Sequence, residues 1–158
     1  MVTQAEHGIQ QLVTFRLGEE EYGVDILKVH EIDRMMDITE VPNAPSSIEG
    51  VINLRGKVIP VINLRKKFNL PPREADERTK IVVVDIGTSA GMIVDSVSEV
   101  LRISSDIIEP PPPMTTGVSS EYIRGVGKLK DRLLILLDIE KLLGAREKTE
   151  TASAVAAI

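Results

Sequence analysis

Two segments of this chain repeat each other 75 residues apart, and this repeat constrains the fold more than any other feature of the sequence. When residues 48–68 are aligned with residues 123–143, many columns exchange one apolar residue for another. The identical pairs are Ile48/Ile123, Gly50/Gly125, Val51/Val126, Leu54/Leu129 and Lys66/Lys141. Repeated units of this kind cannot bury their apolar faces alone and therefore pack against each other. The chain is predicted to fold as two similar, closely packed halves.

The composition favours strands over helices in both halves. Valine and isoleucine together supply 35 residues, against 14 leucines and 9 alanines, and β-branched side chains fit strands better than helices. Short apolar runs separated by turn residues predict three strands, a loop, a hairpin and a short helix in each half. About five strands per half suit a small barrel, whose closure removes exposed strand edges. The predicted fold class is mainly all-β: two tandem five-stranded barrels around a shared apolar core, with short helices.

The domain boundaries follow from the extent of the repeat. A single domain is predicted at residues 11–144. Its first barrel is placed at about residues 12–75 and its second at about residues 76–144, and exchange of strands between the two is left open. Residues 1–10 and 145–158 are predicted to be flexible tails.

A run of prolines interrupts the second half. Residues 109–114 read Glu-Pro-Pro-Pro-Pro-Met, and such a run adopts the extended polyproline II conformation. We interpret the run, Pro110 to Pro113, as a stiff connector. The alternative is a ligand for a proline-reading module.

Several local signals predict where elements begin and end. Asp25 is expected to cap a single helical turn, and Asn63 a short helix at residues 63–68 that the prolines after it terminate. Pro60 interrupts a strand-like run, so its position is predicted to be an edge or a bulge. The consecutive glutamates at residues 19–21 predict a solvated turn between the first two strands.

Charge and composition exclude several classes of protein. The net charge of −5 and the pI of about 5.1 disfavour a general binder of nucleic acid or anionic membranes. The absence of cysteine excludes a disulfide scaffold, a zinc finger, an iron–sulfur site and thiol catalysis. The sequence shows neither a signal peptide nor an apolar stretch of about 20 residues. A soluble cytoplasmic protein without cofactor, metal or membrane insertion is therefore expected.

Three groups of residues resemble ligand or catalytic sites, and each has a simpler interpretation. Residues 85–89 follow a strand, as do the turns that bind ATP phosphates in actin-like and sugar-kinase-like folds. Those folds need two such domains and several hundred residues, so a plain hairpin turn is favoured. His30 has no metal-ligating partner at suitable spacing and is predicted to be an exposed strand residue. For the basic residues a solvated surface is favoured over nucleic-acid binding; they are Arg55, Lys57, Arg65, Lys66 and Lys67. The chain is predicted not to be an enzyme.

Four stretches of the sequence carry a strong family resemblance. They are residues 48–68 (IEGVINLRGKVIPVINLRKKF), 15–32 (FRLGEEEYGVDILKVHEI), 94–101 (VDSVSEVL) and 122–127 (YIRGVG). On these residues the chain resembles the chemotaxis coupling proteins of the CheW family, and the resemblance extends over about residues 11–144.

This resemblance implies a fold and a role. The fold is two five-stranded SH3-like barrels around a shared apolar core, and the role is that of an adaptor with no catalytic activity. The implied partners are the regulatory domain of the histidine kinase CheA and the cytoplasmic tips of chemoreceptors. The adaptor is implied to be a monomer alone, to form rings with the kinase, and to lie in the cytoplasm at membrane receptor arrays.

The resemblance also implies receptor-binding residues where the motifs match. Ile26, Val29 and Glu31 lie in a stretch similar to the family's receptor-contacting strand, and Arg55 resembles the arginine that pairs with that glutamate. A Glu–Arg pair in a half-buried groove fixes orientation more than it adds affinity. The alternative is that Glu31 and Arg55 only tie two strands together, and the two roles are compatible.

The kinase-binding surface is placed in the second barrel by the same resemblance. The residues assigned to it are Tyr122, Gly125, Gly127 and Leu134. Within the repeat, Glu99 and Lys130 mirror Glu31 and Arg55, which predicts a weaker structural copy of that pair. The alternative functions are an adaptor of the same family for a pili, biofilm or development array, and a small-barrel module that binds nucleic acid.

Overall fold

Strands dominate the part of the chain that this computed structural model describes, residues 8–111 and 120–143. The strands are β1 (Ile9–Leu17), β2 (Glu20–Asp25), β3 (Val29–Arg34), β4 (Ile48–Leu54), β5 (Lys57–Asn63), β6 (Lys80–Asp85), β7 (Ser89–Val94), β8 (Ser96–Ser104), β9 (Ile108–Glu109), β10 (Ile123–Lys128) and β11 (Leu133–Leu137). Two short α-helices, α1 (Leu64–Lys67) and α2 (Ile139–Leu143), accompany 3-10 turns at Ile26–Lys28, Ser105–Ile107 and Ser120–Tyr122. No helix in the described ranges is long and apolar enough to cross a membrane. The mainly-β prediction is confirmed.

The strands form two sheets, and each sheet takes strands from both halves of the sequence. One has the order β8-β1-β2-β11-β10-β9, and the other has the order β3-β6-β7-β5-β4. The chain therefore starts in the six-stranded sheet, crosses to the five-stranded sheet after β2, and returns after β7. The pairs β2–β11 and β5–β7 are parallel, and they join segments that lie far apart in the sequence.

Both sheets curl until the chain that leaves one edge reaches the opposite edge. In the five-stranded sheet, Thr39 follows edge strand β3 and exchanges two backbone hydrogen bonds of 2.9 Å with Val51 in β4. In the six-stranded sheet, β9 follows edge strand β8 and pairs with β10 at the far edge. Full closure into SH3-like barrels stays a prediction.

Three apolar clusters fill the fold. The largest lies between the sheets and contains Phe15, Tyr22 and Phe68, whose neighbouring ring centroids are 5.7 Å apart. A second cluster belongs to the five-stranded sheet alone: Ile52, Leu54, Ile59, Val61, Ile81 and Val83. A third belongs to the six-stranded sheet: Leu12, Ile103, Leu134 and Leu136. Each sheet therefore buries both faces, one against the other sheet and one inside its own curl.

The predicted capping residues are confirmed, although α1 ends earlier than expected. The Asp25 side chain accepts a hydrogen bond of 2.9 Å from the Leu27 N–H, and that of Asn63 accepts one of 3.2 Å from the Lys66 N–H. The prediction that prolines terminate α1 is wrong. The helix ends before them at Lys67, and Asn69 beyond the cap has a left-handed φ of 58°, as is common at helix C-termini.

The prediction for Pro60 is also wrong. This residue lies inside β5, which has β4 on one side and β7 on the other. The β4–β5 register shift occurs at Ile48/Gly50 and not at Pro60. Pairing with β7 begins only at Val61, so the missing N–H of Pro60 falls outside that parallel ladder.

The first strand begins earlier than the predicted domain boundary. β1 begins at Ile9, two residues inside the segment assigned to the N-terminal tail. Pro110 and Pro111 follow β9 without regular secondary structure. Pro112, Pro113 and the C-terminal tail at residues 145–158 lie outside the described residues.

Gly125 allows two strands to approach closely, and replacing it is expected to destabilise the fold. A Cβ atom there would lie 2.7 Å from the Ile108 side chain and 2.9 Å from the Glu109 carbonyl oxygen. Overpacking of this kind costs about 1–3 kcal/mol, and we expect about 2 kcal/mol for Gly125→Ala in urea unfolding.

Gly127 provides the matched control in the same strand. A Cβ atom at Gly127 would make ordinary contacts of 3.5 Å and more. Gly127→Ala is therefore expected to change the free energy of unfolding by less than about 1 kcal/mol. Equal losses for the two variants would contradict this account of Gly125.

Candidate functional site

Glu31 and Arg55 come together from opposite edges of the five-stranded sheet. Glu31 lies in β3, and Arg55 lies in the turn between β4 and β5. The guanidinium donates from Nη1 to Glu31 Oε2 at 3.2 Å and from Nη2 to Glu31 Oε1. Two parallel bonds of this kind fix both the distance and the orientation of the side chains. The structure thus brings together the two residues that the sequence analysis paired.

The turn that carries Arg55 is conformationally unusual. Arg55 and Gly56 are its two central residues, with φ of 53° and 87°. Asn53 Oδ1 supports the turn by accepting a hydrogen bond of 2.7 Å from the Gly56 N–H. A left-handed conformation costs a residue other than glycine about 1–2 kcal/mol, and asparagine or glycine is preferred there. An arginine held in this conformation points to a function for its side chain.

The Glu31–Arg55 pair is too exposed to contribute much to stability. The Arg55 side chain is 68% exposed and that of Glu31 is 20% exposed, and solvent screens ion pairs at such positions. The hydrogen bond from Arg55 lowers the pKa of Glu31, and the bond to Glu31 raises the pKa of Arg55. The pair is therefore charged at neutral pH and available to a partner.

The other predicted receptor residues, Ile26 and Val29, lie where the chain crosses between the sheets. Ile26 begins the 3-10 turn between β2 and β3, and Val29 begins β3. Both side chains are half-buried and pack against the cluster between the sheets. Leu27 between them is 86% exposed. Val29 pairs with Val84 and Glu31 pairs with Val83, because the register shifts between them, so their side chains lie on opposite faces of β3.

The predicted kinase-binding residues are mostly internal. Gly125, Gly127 and Leu134 are buried, so they shape the β10–β11 pair and present no side chain to a partner in this conformation. Tyr122 is half-buried, and the Lys67 ammonium lies 5.3 Å from its ring centroid. The exposed apolar residue of this region is Leu133, at 62%.

A charged cluster that the sequence did not indicate lies where the chain returns to the six-stranded sheet. Asp95 lies between β7 and β8. Arg65 donates two hydrogen bonds to its carboxylate, from Nε at 2.9 Å and from Nη2 at 2.6 Å. The same carboxylate accepts a hydrogen bond of 2.7 Å from the Gly18 N–H and one of 3.1 Å from Arg73 Nη1. Burial alone raises the pKa of Asp95, but the hydrogen bonds from Arg65 and Gly18 outweigh it and hold that pKa below its usual range. The cluster ties three distant segments together.

A second charged cluster corrects two predictions. The Glu21 side chain is only 5% exposed and accepts a bond of 2.6 Å from Arg132 Nε, so the solvated turn predicted at residues 19–21 is wrong for Glu21. Arg132 Nη2 also lies 3.3 Å from Glu99 Oε2. Glu99 is thus paired with Arg132 and not with Lys130, its predicted partner.

The remaining candidate sites have structural explanations. Residues 85–89 form the expected β6–β7 hairpin turn, with Asp85 Oδ1 accepting from the Gly87 N–H at 2.9 Å. His30 is exposed in β3, as predicted. The clustered basic side chains are largely paired within the chain: Arg55 with Glu31, Arg65 with Asp95, and Lys66 with Glu49. Within residues 8–111 and 120–143, no group of three or more acidic or histidine side chains is arranged to hold a metal.

The fold and this site define a two-sheet β scaffold, and comparison with known proteins assigns its family. The CheW-like domain model matches residues 11–147, and the chain belongs to this family. The chain is 45% identical over 139 residues to the chemotaxis protein CheW of Klebsiella aerogenes, covering 87% of this chain and 84% of that protein. It is 42% identical to that of Treponema pallidum, covering 90% and 87%. The predicted family is confirmed.

A solved structure has the same fold. The crystal structure of the scaffolding protein TtCheW from Thermoanaerobacter tengcongensis superposes with a TM-score of 0.80 and 41% sequence identity. The match covers 87% of this chain and 90% of that one.

Proposed function

We propose that this chain is a non-catalytic adaptor that couples the cytoplasmic tips of chemoreceptors to the histidine kinase CheA. The observation that carries the proposal is the Glu31–Arg55 pair, whose arginine is held on a left-handed turn. The names of the similar proteins, a chemotaxis protein and a scaffolding protein, support it. The adaptor acts in the cytoplasm as a monomer, and it forms rings with the kinase at receptor arrays.

The receptor-binding surface consists of Ile26, Val29, Glu31 and Arg55. The apolar pair supplies contact area for a receptor helix at the junction of the sheets. The ion pair directs the approach of that helix, because charged groups at an interface determine orientation and specificity more than affinity. This surface belongs to the five-stranded sheet and the turn that precedes it.

The kinase-binding surface lies on the six-stranded sheet, around Tyr122 and the β10–β11 pair. Gly125, Gly127 and Leu134 give this pair its close packing, and Leu133 supplies the exposed contact. The receptor surface and the kinase surface therefore lie on different sheets. One molecule can hold both partners at once, which is what an adaptor requires.

Leu133→Glu is expected to weaken binding to the CheA regulatory domain about tenfold. Apolar anchors in the centre of an interface typically contribute more than about 1 kcal/mol, and a charge in their place must be desolvated. The matched control is Val58→Glu, because Val58 is also exposed, at 44%, but lies in the five-stranded sheet. Calorimetric titration of each variant provides the measurement, and a stronger loss for Val58→Glu would place the kinase on the other sheet.

The proposal is tested by titrating the chain with two partners, separately and together. One is a helical hairpin that represents a receptor tip, and the other is the CheA regulatory domain. We expect two binary complexes and one ternary complex in size-exclusion chromatography. Binding to neither partner would overturn the proposed function. Titrating the chain with receptor-tip hairpins from a motility array and from a pili array identifies the pathway that it serves.

A further inference from the structure

Asp33 lies near Glu31 in β3, and one oxygen atom of its carboxyl group has no hydrogen-bond partner among the described residues. Residues two apart in a strand point to the same face, so Glu31 and Asp33 share one face of β3. Burial, and then hydrogen bonding with the Glu31 carboxyl group, raise the pKa of Asp33. The Oδ2 atom of Asp33 is buried and has no hydrogen-bond partner in the described part of the chain. A buried polar atom of this kind is costly unless something satisfies it.

The surrounding groups leave a proton as the simplest partner for Asp33. Both bonds of the Arg55 guanidinium go to Glu31. The imidazole of His30 lies 3.6 Å from Glu31 Oε1. From the neighbouring strand β6, the residue paired with Asp33 is the buried Ile81. The charged groups that act on Asp33 are therefore Glu31 and Arg55.

We propose that Asp33 is a positioning residue for the Glu31–Arg55 pair. Its protonated carboxyl group donates a hydrogen bond to the Glu31 carboxylate and holds that carboxylate toward Arg55. No bond other than this shared O–H···O is formed, and the proton returns to solvent when Asp33 ionises.

The pairing is expected to weaken as pH rises. Burial, and then the neighbouring Glu31, raise the pKa of Asp33, whereas Arg55 lowers the pKa of Glu31. Asp33 therefore keeps its proton at a pH where Glu31 is already ionised. Above the raised pKa of Asp33, two adjacent carboxylates repel each other and compete for Arg55. Because the folded-state pKa of Asp33 is raised, the stabilisation is present at low pH and lost as pH increases through that value.

An NMR titration of the side-chain carboxyl carbons tests the shared proton in the free protein, without any partner. We expect Asp33 to titrate above its ordinary value of about 3.9, and Glu31→Gln to move that midpoint down. The control is Asp37→Asn, a change at an exposed acidic residue after the same strand, which is expected to leave the midpoint of Asp33 in place. A midpoint of Asp33 at or below its ordinary value, or one unaffected by Glu31→Gln, would overturn the inference.

A binding experiment tests the positioning role, which rests on the proposed receptor-coupling function. Affinity for a receptor-tip hairpin is expected to fall up to about fivefold between pH values below and above the Asp33 midpoint, as for an exposed pair. Asp33→Asn keeps a neutral donor and should remove this pH dependence. Wild-type binding without pH dependence would overturn the positioning role, and failure of every variant to bind would instead count against the proposed function.

Discussion

Asp95→Ala is expected to lower the free energy of unfolding by about 3 kcal/mol, because the partly buried Arg65 guanidinium loses its carboxylate partner and keeps its hydrogen bond of 2.6 Å to the Pro71 carbonyl oxygen. The Arg65 side chain is 14% exposed and that of Asp95 is 10% exposed, so solvent replaces little of the lost interaction. The same change removes the acceptor for the Gly18 N–H and for Arg73. The variant therefore loosens the point at which the chain passes from the five-stranded to the six-stranded sheet. Urea unfolding at pH 7 measures the loss.

The control for this prediction is Asp131→Ala, which removes an exposed aspartate from an arginine. Asp131 lies 3.0 Å from Arg132 but is 74% exposed, so a loss below about 1 kcal/mol is expected. The pH dependence gives a second test. The pKa of Asp95 is lowered in the folded state, so its contribution is present above the unfolded value of about 3.9 and is lost as pH falls through the folded value. Equal losses for the two variants would contradict the role of Asp95.

Arg55→Glu is expected to reduce affinity for a receptor-tip hairpin at least about tenfold. The change replaces the guanidinium with a carboxylate beside that of Glu31, and like charges at an interface cost several kcal/mol. The folded protein should be little affected, because the Arg55 side chain is 68% exposed. Calorimetric titration gives the affinity, and urea unfolding separates it from stability.

Two further variants determine whether the pair acts through its charges. Glu31→Arg combined with Arg55→Glu restores the pair with reversed polarity and is expected to recover part of the affinity. Lys57→Glu is the matched control, since Lys57 lies in the same hairpin but its ammonium donates a hydrogen bond of 3.3 Å to the Ser89 hydroxyl and not to Glu31. A double variant no better than either single change would mean that the two residues act separately. A tenfold loss for Lys57→Glu would mean that net charge alone matters.

Features that depend on neighbouring residues could be predicted from the sequence. The Arg55–Gly56 hairpin and the caps at Asp25 and Asn63 rest on turn and capping chemistry that acts over two or three residues. The repeat likewise indicated two similar β units. The pairing of Glu31 with Arg55 followed only from the family resemblance, because no local rule connects residues 24 positions apart.

The features that escaped prediction depend on long-range packing. Asp95 meets Arg65 and Gly18 only after the chain has crossed between the sheets, and no spacing rule indicates this contact. Glu21 looked solvated among its acidic neighbours, but Arg132 from the other end of the chain allows its burial. The run at Leu133–Leu137 has no polar alternation, so the sequence does not distinguish the exposed Leu133 from the buried Leu134.

The rate of CheA autophosphorylation in the presence of membrane-embedded receptors tests the central claim most directly. The assay compares three reactions: without the chain, with the wild-type chain, and with Arg55→Glu. The account predicts that the wild-type chain raises the receptor-dependent rate and that Arg55→Glu does so much less. A receptor-dependent rate that the wild-type chain leaves unchanged, with kinase and receptors both active, would contradict the adaptor function.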